Sequence, residues 1–432
     1  MSKLKKGQSP VRIIALGFLI TILIGSVLLS LPFCVKEGAE LEYIDALYTS
    51  TSAVCVTGLV TKDVADTFTL CGQVIVLLLI QIGGLGVSSM GAAVILLLGK
   101  KMDLKGRNII KASMNLDTGK GIVTFVKSVF FTTVIIELAG AILSFFVFIK
   151  DFPFLKALGV SIFHSVAAFN NSGFDVLGSF QSLTNYESNI PLSLITAALI
   201  FLGGIGFLVI REVLAKGFRW KKLSMHSKVV LSMSVSLIVI GTLLIKLTEN
   251  VSFLGAFFLS VSTRTAGFAN YNLGSFGTSG IIVILILMFI GASPGSTGGG
   301  VKTSTFFVLL QNIKASATGK SEKAFNYSIP QDSFKKAAVV VLLGLMVVLG
   351  STYAVSIFEP TLPLRDLLFE MTSAYGTVGL STGITPTLSV GAKIISIIVM
   401  YIGRLGPLTI VSLWYFSRGE SFRYPEGNIS VG

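Results

Sequence analysis

Four short glycine-containing stretches are the residues of this chain best suited to bind a metal cation. Each has a small or β-branched residue before the glycine and a large apolar residue after it. A dehydrated cation needs closely spaced neutral oxygens, and rings of backbone carbonyls supply them. Glycine permits the positive φ that turns a carbonyl inward. The predicted ligands are therefore backbone atoms of Val56, Thr57, Gly58, Asn171, Ser172, Gly173, Thr265, Ala266, Gly267, Thr377, Val378 and Gly379.

The charge of these stretches indicates which cation they would bind. None of the four contains Asp or Glu. Rings of carboxylates select cations by charge, whereas neutral carbonyl rings suit a weakly hydrated monovalent ion. We therefore expect a weakly hydrated monovalent cation as the transported ion, bound at these loops only, and no catalytic residue and no cofactor in this chain.

Repeated elements on both sides of each stretch would position it. Ten residues before each glycine lies an aromatic residue, and 24 to 30 residues after it a second glycine motif recurs. The four aromatic residues are Tyr48, Phe163, Phe257 and Phe369. The second motifs are Leu79–Gly86, Leu199–Gly206, Leu287–Pro294 and Val399–Gly406. The repeat predicts a unit of apolar span, short helix, glycine turn and second apolar span, present four times.

Composition places these units in a membrane. Hydrophobic residues make up 52% of the 432 residues and charged residues only 13%, about half the charged share of a soluble domain. Inside lipid each backbone amide must be satisfied locally, so the apolar runs are helices. The predicted fold is an all-α membrane protein with four pseudo-symmetric span–pore-loop–span repeats around a central pore. The predicted spans are 12–32, 72–99, 123–149, 190–215, 228–247, 279–312, 335–357 and 389–416.

Basic residues lie mainly between these spans and account for the net charge of +13. Lys and Arg in short loops stay cytoplasmic, so we expect both termini inside the cell and no nucleic-acid partner. The predicted organisation is a cytoplasmic segment at 1–11, four repeats, and a cytoplasmic tail. The repeats are 12–107, 108–222, 223–325 with an intramembrane loop at 291–303, and 326–416, and the tail is 417–432.

The four glycine stretches together resemble the degenerate filters of the Trk/Ktr/HKT potassium transporter superfamily. Further shared motifs are Ser262–Phe268, Ile402–Leu408 and Arg423–Asn428, and the similarity covers nearly the whole chain. Trk-type subunits carry two additional N-terminal helices, so the chain is most similar to the Ktr-type membrane subunit. The resemblance implies potassium as the main transported ion, bound at the four filter stretches only. It also implies a homodimer in the bacterial cytoplasmic membrane, regulated by a cytoplasmic nucleotide-binding RCK ring. The resemblance does not decide whether sodium modulates transport.

An intramembrane loop interrupts the last span of the third repeat. A phosphate loop would need Gly-Lys-Ser/Thr, but Val301 separates Gly300 from Lys302. Two interpretations of the interruption remain. It is either a structural kink or a movable loop that obstructs the ion path. The resemblance implies the gate, with Gly291, Pro294, Gly295, Gly298, Gly299, Gly300 and Lys302.

Arg404 stands where the matching slots hold Gly84, Gly204 and Ala292. An intramembrane arginine is costly and normally faces the protein interior or water. It could form a salt bridge or snorkel, or it could place a positive charge near the pathway and act in gating. Family members carry a matching arginine.

Two other function classes compete with a potassium pathway. An alternating-access cation symporter also uses broken helices, although many have inverted twofold repeats. A membrane enzyme would need a catalytic cluster, whereas Glu137 and Glu212 are each expected to stand alone. The three cysteines and two histidines lack metal-site spacing.

Overall fold

A computed structural model describes residues 10–97, 104–113 and 121–414. The predicted all-α membrane fold is confirmed, because helices dominate the described residues and several are long and apolar. The terminal segments and Arg423–Asn428 lie outside the described residues. So do Lys100, Lys101 and Lys120, which are among the basic residues between the predicted spans. The predicted orientation of the termini stays a prediction.

Four long apolar helices are the first spans of the predicted repeats. They are α1 (Pro10–Leu29), α7 (Ile122–Phe148), α11 (Met225–Thr248) and α15 (Gln331–Phe358). Their 20 to 28 residues reach across the roughly 30 Å of hydrocarbon. Only 22 to 44% of each apolar segment is buried within the protein, so most of these surfaces face lipid.

Four shorter, largely buried helices follow them and do not reach across a membrane. They are α2 (Tyr43–Cys55), α8 (Phe154–Phe169), α12 (Phe253–Ser262) and α16 (Leu364–Gly376). Pro153 and Pro363 precede two of them, where a missing amide hydrogen costs nothing. The Ser252 side chain caps the third by accepting from the Gly255 amide at 2.9 Å.

The second span of each repeat is broken. The break in the third repeat agrees with the expected intramembrane loop, whereas the expectation of continuous second spans in the first, second and fourth repeats is wrong. The broken pairs are α4 (Leu70–Leu85) with α5 (Val87–Leu97), α9 (Ile190–Gly204) with α10 (Phe207–Lys216), α13 (Thr278–Phe289) with α14 (Thr303–Thr318), and α17 (Val390–Leu405) with α18 (Pro407–Trp414). The second and fourth pairs bend by 99° and 96°. Gly86, Gly206 and Gly406 lie at the breaks with φ of 83°, 91° and 85°, a backbone that glycine tolerates.

Short elements join these helices. They are α3 (Val64–Thr67), α6 (Leu104–Ser113), the hairpin β1 (Lys323–Ala324) and β2 (Tyr327–Ser328), and 3₁₀ turns at Pro32–Cys34, Thr184–Tyr186, Trp220–Lys222, Leu273–Ser275 and Thr385–Thr387. The predicted repeat boundary at 107/108 falls inside α6, and that at 325/326 falls between β1 and β2. The repeat boundaries stay predictions.

Candidate ion pathway and intramembrane loop

The loops that follow the four short helices share one backbone conformation. The first residue of each predicted filter stretch has a positive φ, which is uncommon for residues with a side chain. These angles are 57° at Val56, 56° at Asn171, 67° at Thr265 and 48° at Thr377. The glycine two positions later is also left-handed in each loop, with φ between 69° and 98°. The same unusual backbone at four matching positions indicates four equivalent loops.

The four glycines lie side by side in a closed ring. A Cβ atom on Gly58 would clash with the Ser172 carbonyl, and one on Gly173 would meet the Ala266 carbonyl. The same holds between the third and fourth loops, and again between the fourth and first. A methyl group at any of the four positions would therefore push two neighbouring loops apart.

Hydroxyl groups behind the loops hold the glycines in place. The Gly58 amide donates to Ser52 Oγ at 3.0 Å, and the Gly379 amide donates to Ser373 Oγ at 3.1 Å. In the third repeat the Ser262 hydroxyl instead donates to the Phe268 carbonyl at 2.6 Å. Serines in three of the short helices thus provide the hydrogen-bonding groups that anchor the ring.

The intramembrane loop between α13 and α14 crosses one side of this ring. A Cβ atom on Gly298 or Gly299 would clash with the side chain of Thr265 or Thr377, respectively. The loop returns on itself, since the Gly291 amide donates to the Val301 carbonyl at 2.8 Å. Glycine is needed here because the loop backbone packs directly against filter side chains.

Neighbouring repeats fasten the loop on both sides. On the second repeat, the Ser293 amide donates to the Gly204 carbonyl and the Phe207 amide donates to the Gly295 carbonyl, each at 3.0 Å. A helix, α13, precedes the loop, whereas a phosphate loop follows a strand. The phosphate-loop alternative therefore lacks its structural context as well as its sequence.

Arg404 fastens the loop from the fourth repeat. Its Nη1 donates to the Thr297 carbonyl, and its Nη2 donates to the Gly83 carbonyl and, at 3.3 Å, to the Gly84 carbonyl. No ion pair with a carboxylate is found for Arg404 within the described part of the chain. The structure thus brings Arg404 together with the predicted gating loop, and the residues that it describes include no salt-bridge partner for this arginine.

Comparison with known proteins decides the family. A model of the family described as TrkH, cation transport protein, matches residues 13–421. The chain belongs to this TrkH family. The resemblance to the Trk/Ktr/HKT superfamily is thereby confirmed.

Two relatives and one solved structure indicate how far the similarity extends. The chain is 37% identical to the potassium/sodium uptake protein NtpJ of Enterococcus hirae, over 100% of this chain and 99% of that protein. It is also 37% identical to the Ktr system potassium uptake protein B of Bacillus subtilis, over 98% and 97%. The crystal structure of the potassium transporter TrkH from Vibrio parahaemolyticus shares the fold, with a TM-score of 0.74 at 19% identity, covering 96% of this chain and 87% of that chain.

In this TrkH-family chain a cavity of about 480 Å³ opens on the other side of the ring. Its lining includes all four ring glycines, together with Asp63 and Asp175. Asp175 lies two residues after the ring glycine of the second loop, just outside the predicted stretch, so the absence of Asp and Glu within the stretches does not extend to this cavity. Burial, with lesser effects of Asp63 and Asp66, raises the pKa of Asp175 to about 7. The charge of this cavity therefore changes near neutral pH.

A second cavity, of about 210 Å³, lies below the intramembrane loop. Pro294, Gly295, Gly298, Lys302 and Arg404 contribute to its lining, and none of the described residues that line it is acidic. The Lys302 ammonium donates to the Gly298 carbonyl at 2.7 Å. Two basic side chains thus border the space on the far side of the loop from the outer cavity.

The expectation that Glu137 and Glu212 stand alone is wrong. Glu137 accepts hydrogen bonds from the Gln81 and Asn170 side chains at 3.3 and 2.9 Å. Glu212 pairs with Lys216 and also accepts from the Ser224 hydroxyl at 2.7 Å. Gln81 belongs to a repeated glycine motif and Asn170 adjoins a predicted filter stretch, so the sequence pattern already pointed to both partners of Glu137.

Among the described residues, no group of His, Cys, Asp and Glu side chains is arranged to hold a metal ion.

Proposed function

We propose that this chain takes up potassium across the bacterial cytoplasmic membrane through one pore at the glycine ring. The observation that carries the proposal is the closure of that ring, in which each filter glycine contacts the next loop in chain order and the last contacts the first. Backbone carbonyls from four loops then surround one axis, where they replace the hydration shell of the ion. The relatives named as potassium or potassium/sodium uptake proteins support the choice of ion.

The four stretches of the ring differ in sequence, unlike a filter of four identical strands. Side chains at the first position are Val56, Asn171, Thr265 and Thr377. Only the residues around the shared glycine align in the four stretches, so we expect fewer complete carbonyl rings and weaker rejection of sodium than in a channel with identical strands.

The intramembrane loop is the proposed gate of this pore. It packs against Thr265 and Thr377 on one side of the ring, and hydrogen bonds to two other repeats hold it there. A loop held in this way blocks the ions until those hydrogen bonds break and the loop moves. Glycine at Gly298 and Gly299 lets the loop approach the filter, and Arg404 and Lys302 lower the occupancy of cations beneath it.

Regulation and assembly are the remaining parts of the proposal. We infer a homodimer and a separate cytoplasmic RCK-type ring, because the chain resembles Ktr-type membrane subunits and has no nucleotide-binding motif of its own. The name of the Bacillus subtilis relative likewise describes one protein of a Ktr system. Any nucleotide would then bind the partner and act through the cytoplasmic side of this chain.

Growth of cells that lack their own potassium uptake systems tests the function. The chain should restore growth at limiting potassium, and Gly58→Ala or Gly379→Ala should abolish this rescue because the added methyl separates adjacent loops. Gly350→Ala is the matched control, since a Cβ there has no neighbour within 4 Å. Absence of rescue by the wild-type chain at normal membrane levels would refute potassium uptake by this chain alone.

A further inference from the structure

Three of the short helices make the same contact with the first span of their repeat. Ser50 Oγ donates to the Ile22 carbonyl at 2.7 Å, Ser165 Oγ to the Glu137 carbonyl at 2.6 Å, and Ser260 Oγ to the Ile238 carbonyl at 2.9 Å. Ile22, Glu137 and Ile238 therefore occupy equivalent places. The fold accepts isoleucine at two of them, so packing alone gives no reason for a carboxylate at the other.

The Glu137 carboxylate is buried, with 9% of the residue exposed, in a helix that crosses the membrane. It forms a closed triangle with two amides. Asn170 Nδ2 donates to Glu137 Oε1 and to Gln81 Oε1, each at 2.9 Å, and Gln81 Nε2 donates to Glu137 Oε2 at 3.3 Å. Within the described residues this carboxyl group has no cationic partner, so it depends on such donors, because a buried acceptor that loses its donor is left unsatisfied.

The triangle is present at one of the four matching junctions. Asn170 lies three residues before its filter glycine, where the other repeats have Cys55, Arg264 and Gly376. Gln81 lies two residues before its helix glycine, where the other repeats have Phe201, Phe289 and Tyr401. Arg264 and Tyr401 make polar contacts of their own, to Ser234 and to the Ala15 carbonyl, but the triangle of one carboxyl group and two amides is found at the junction of the first and second repeats and at none of the other three.

We propose that Glu137 is a positioning residue for the second filter loop and contributes to discrimination between potassium and sodium. Its carboxylate orients the amide of Asn170, and the next residue, Asn171, begins the filter stretch. Asn170 Oδ1 also lies against Gly84, which leaves no room for a Cβ there. The triangle therefore fixes the second loop against α4. This inference rests on the proposed function, because it assumes that the ring is the filter.

An exchange of side chains tests the triangle without changing its volume. Glu137→Gln replaces an acceptor oxygen with an amide nitrogen, and Gln81→Glu places two carboxylates together. Each single variant should reduce the preference for potassium over sodium about fivefold to tenfold, the scale of one ordinary hydrogen bond. The double variant E137Q/Q81E restores one carboxylate and one amide facing Asn170, so its preference should return to within about twofold of wild type.

The measurement is rubidium uptake into proteoliposomes, with the inhibition constants of potassium and sodium determined for each variant. Ile238→Ala is the matched control, because it perturbs packing at the equivalent position without a polar contact to a filter loop, and it should leave the preference unchanged. Size-exclusion chromatography monitors folding. Asn170→Ala replaces E137Q if that variant does not fold, and a reduced preference is again expected.

Two results would overturn the inference. One is an unchanged ion preference in both single variants, and the other is a double variant that is no better than the singles. Misfolding of both E137Q and Asn170→Ala while Ile238→Ala folds would assign the triangle to stability alone, which also overturns it. A wild-type chain that carries no potassium would contradict the proposed function itself, and that outcome is read directly from the control proteoliposomes.

Discussion

Arg404 donates to the intramembrane loop with one nitrogen of its guanidinium and to the first repeat with the other. Lysine cannot reproduce this forked arrangement, although it keeps the charge. A cation below the filter is repelled by the arginine charge, and the repulsion strengthens where water is excluded.

Arg404→Ala should therefore increase the maximal rate of potassium uptake several-fold while the protein still folds. It removes both the charge and a bond that holds the loop. Arg404→Lys should fall between wild type and alanine, because it removes only the forked contact. Uptake rates at saturating potassium in proteoliposomes measure both variants, and an unchanged rate in Arg404→Ala would contradict a role in obstruction.

Asp175 gives the outer cavity a dependence on external pH. Burial raises the pKa of Asp175 to about 7, so the carboxyl is mostly neutral at pH 6 and mostly charged at pH 8. A negative charge at the entrance attracts cations. The apparent KM for potassium should thus decrease about twofold to threefold between pH 6 and pH 8, a modest effect for one partly solvated charge.

Asp175→Asn is the variant that tests this assignment. Its KM should stay near the high value of the wild-type chain at pH 6 and should not change over this pH range. A decrease in KM that persists in Asp175→Asn would assign the pH dependence to another group.

At the scale of elements, an ion pair joins the first short helix to the last repeat. Lys393 on α17 donates to Asp45 on α2 at 2.7 Å, and both side chains are largely buried, with 11% and 2% exposed. Breaking a buried pair by removing one partner costs about 3–5 kcal/mol. The pair lies where the fourth repeat meets the first.

Lys393→Met or Asp45→Asn should accordingly lower the thermal stability of the purified protein. The double variant should recover a large part of the loss, since it leaves no unpaired charge. The readout is the unfolding midpoint in detergent. Equal midpoints for wild type and Lys393→Met would show that the pair adds nothing to the closure between these two repeats.

The intramembrane loop yields a prediction for a whole element. Deleting Gly295–Gly300 removes the segment that packs against Thr265 and Thr377. Potassium flux should rise, and its dependence on a cytoplasmic regulatory partner should weaken. Flux and regulator response in membrane vesicles that contain the deletion and the full chain give the comparison. Unchanged flux would leave the loop as a structural kink only.

The sequence predicted the existence of these elements better than their shape. Apolar length identified α1, α7, α11 and α15 because helices in lipid need about 20 apolar residues. The bends at Gly86, Gly206 and Gly406 were missed, since glycine in a membrane helix does not by itself indicate a break. The repeated glycines identified the ring because the register recurs four times. Glu137 was misjudged, because its partners lie 56 and 33 positions away and only the packing of α4, α7 and α8 brings them together.

At the scale of the molecule, four lipid-facing spans surround four buried loops. Long apolar residues are exposed on the outer faces of α1 and α7, where lipid replaces water. Polar groups concentrate inside, around the glycine ring and the loop that crosses it. A soluble protein has the opposite arrangement, with apolar residues inside and polar groups on the surface. An ion pathway within a membrane requires polar groups inside.

The most direct test of the central claim is the ion preference of four single variants in proteoliposomes. Gly58→Ala, Gly173→Ala, Gly267→Ala and Gly379→Ala each insert a methyl between adjacent loops, and Gly350→Ala inserts one into open space. If the four loops form one filter, each ring variant should lose potassium uptake or its preference over sodium, and the Gly350 variant should match wild type. Wild-type uptake and preference in any one of the ring variants would contradict a pore formed by all four loops.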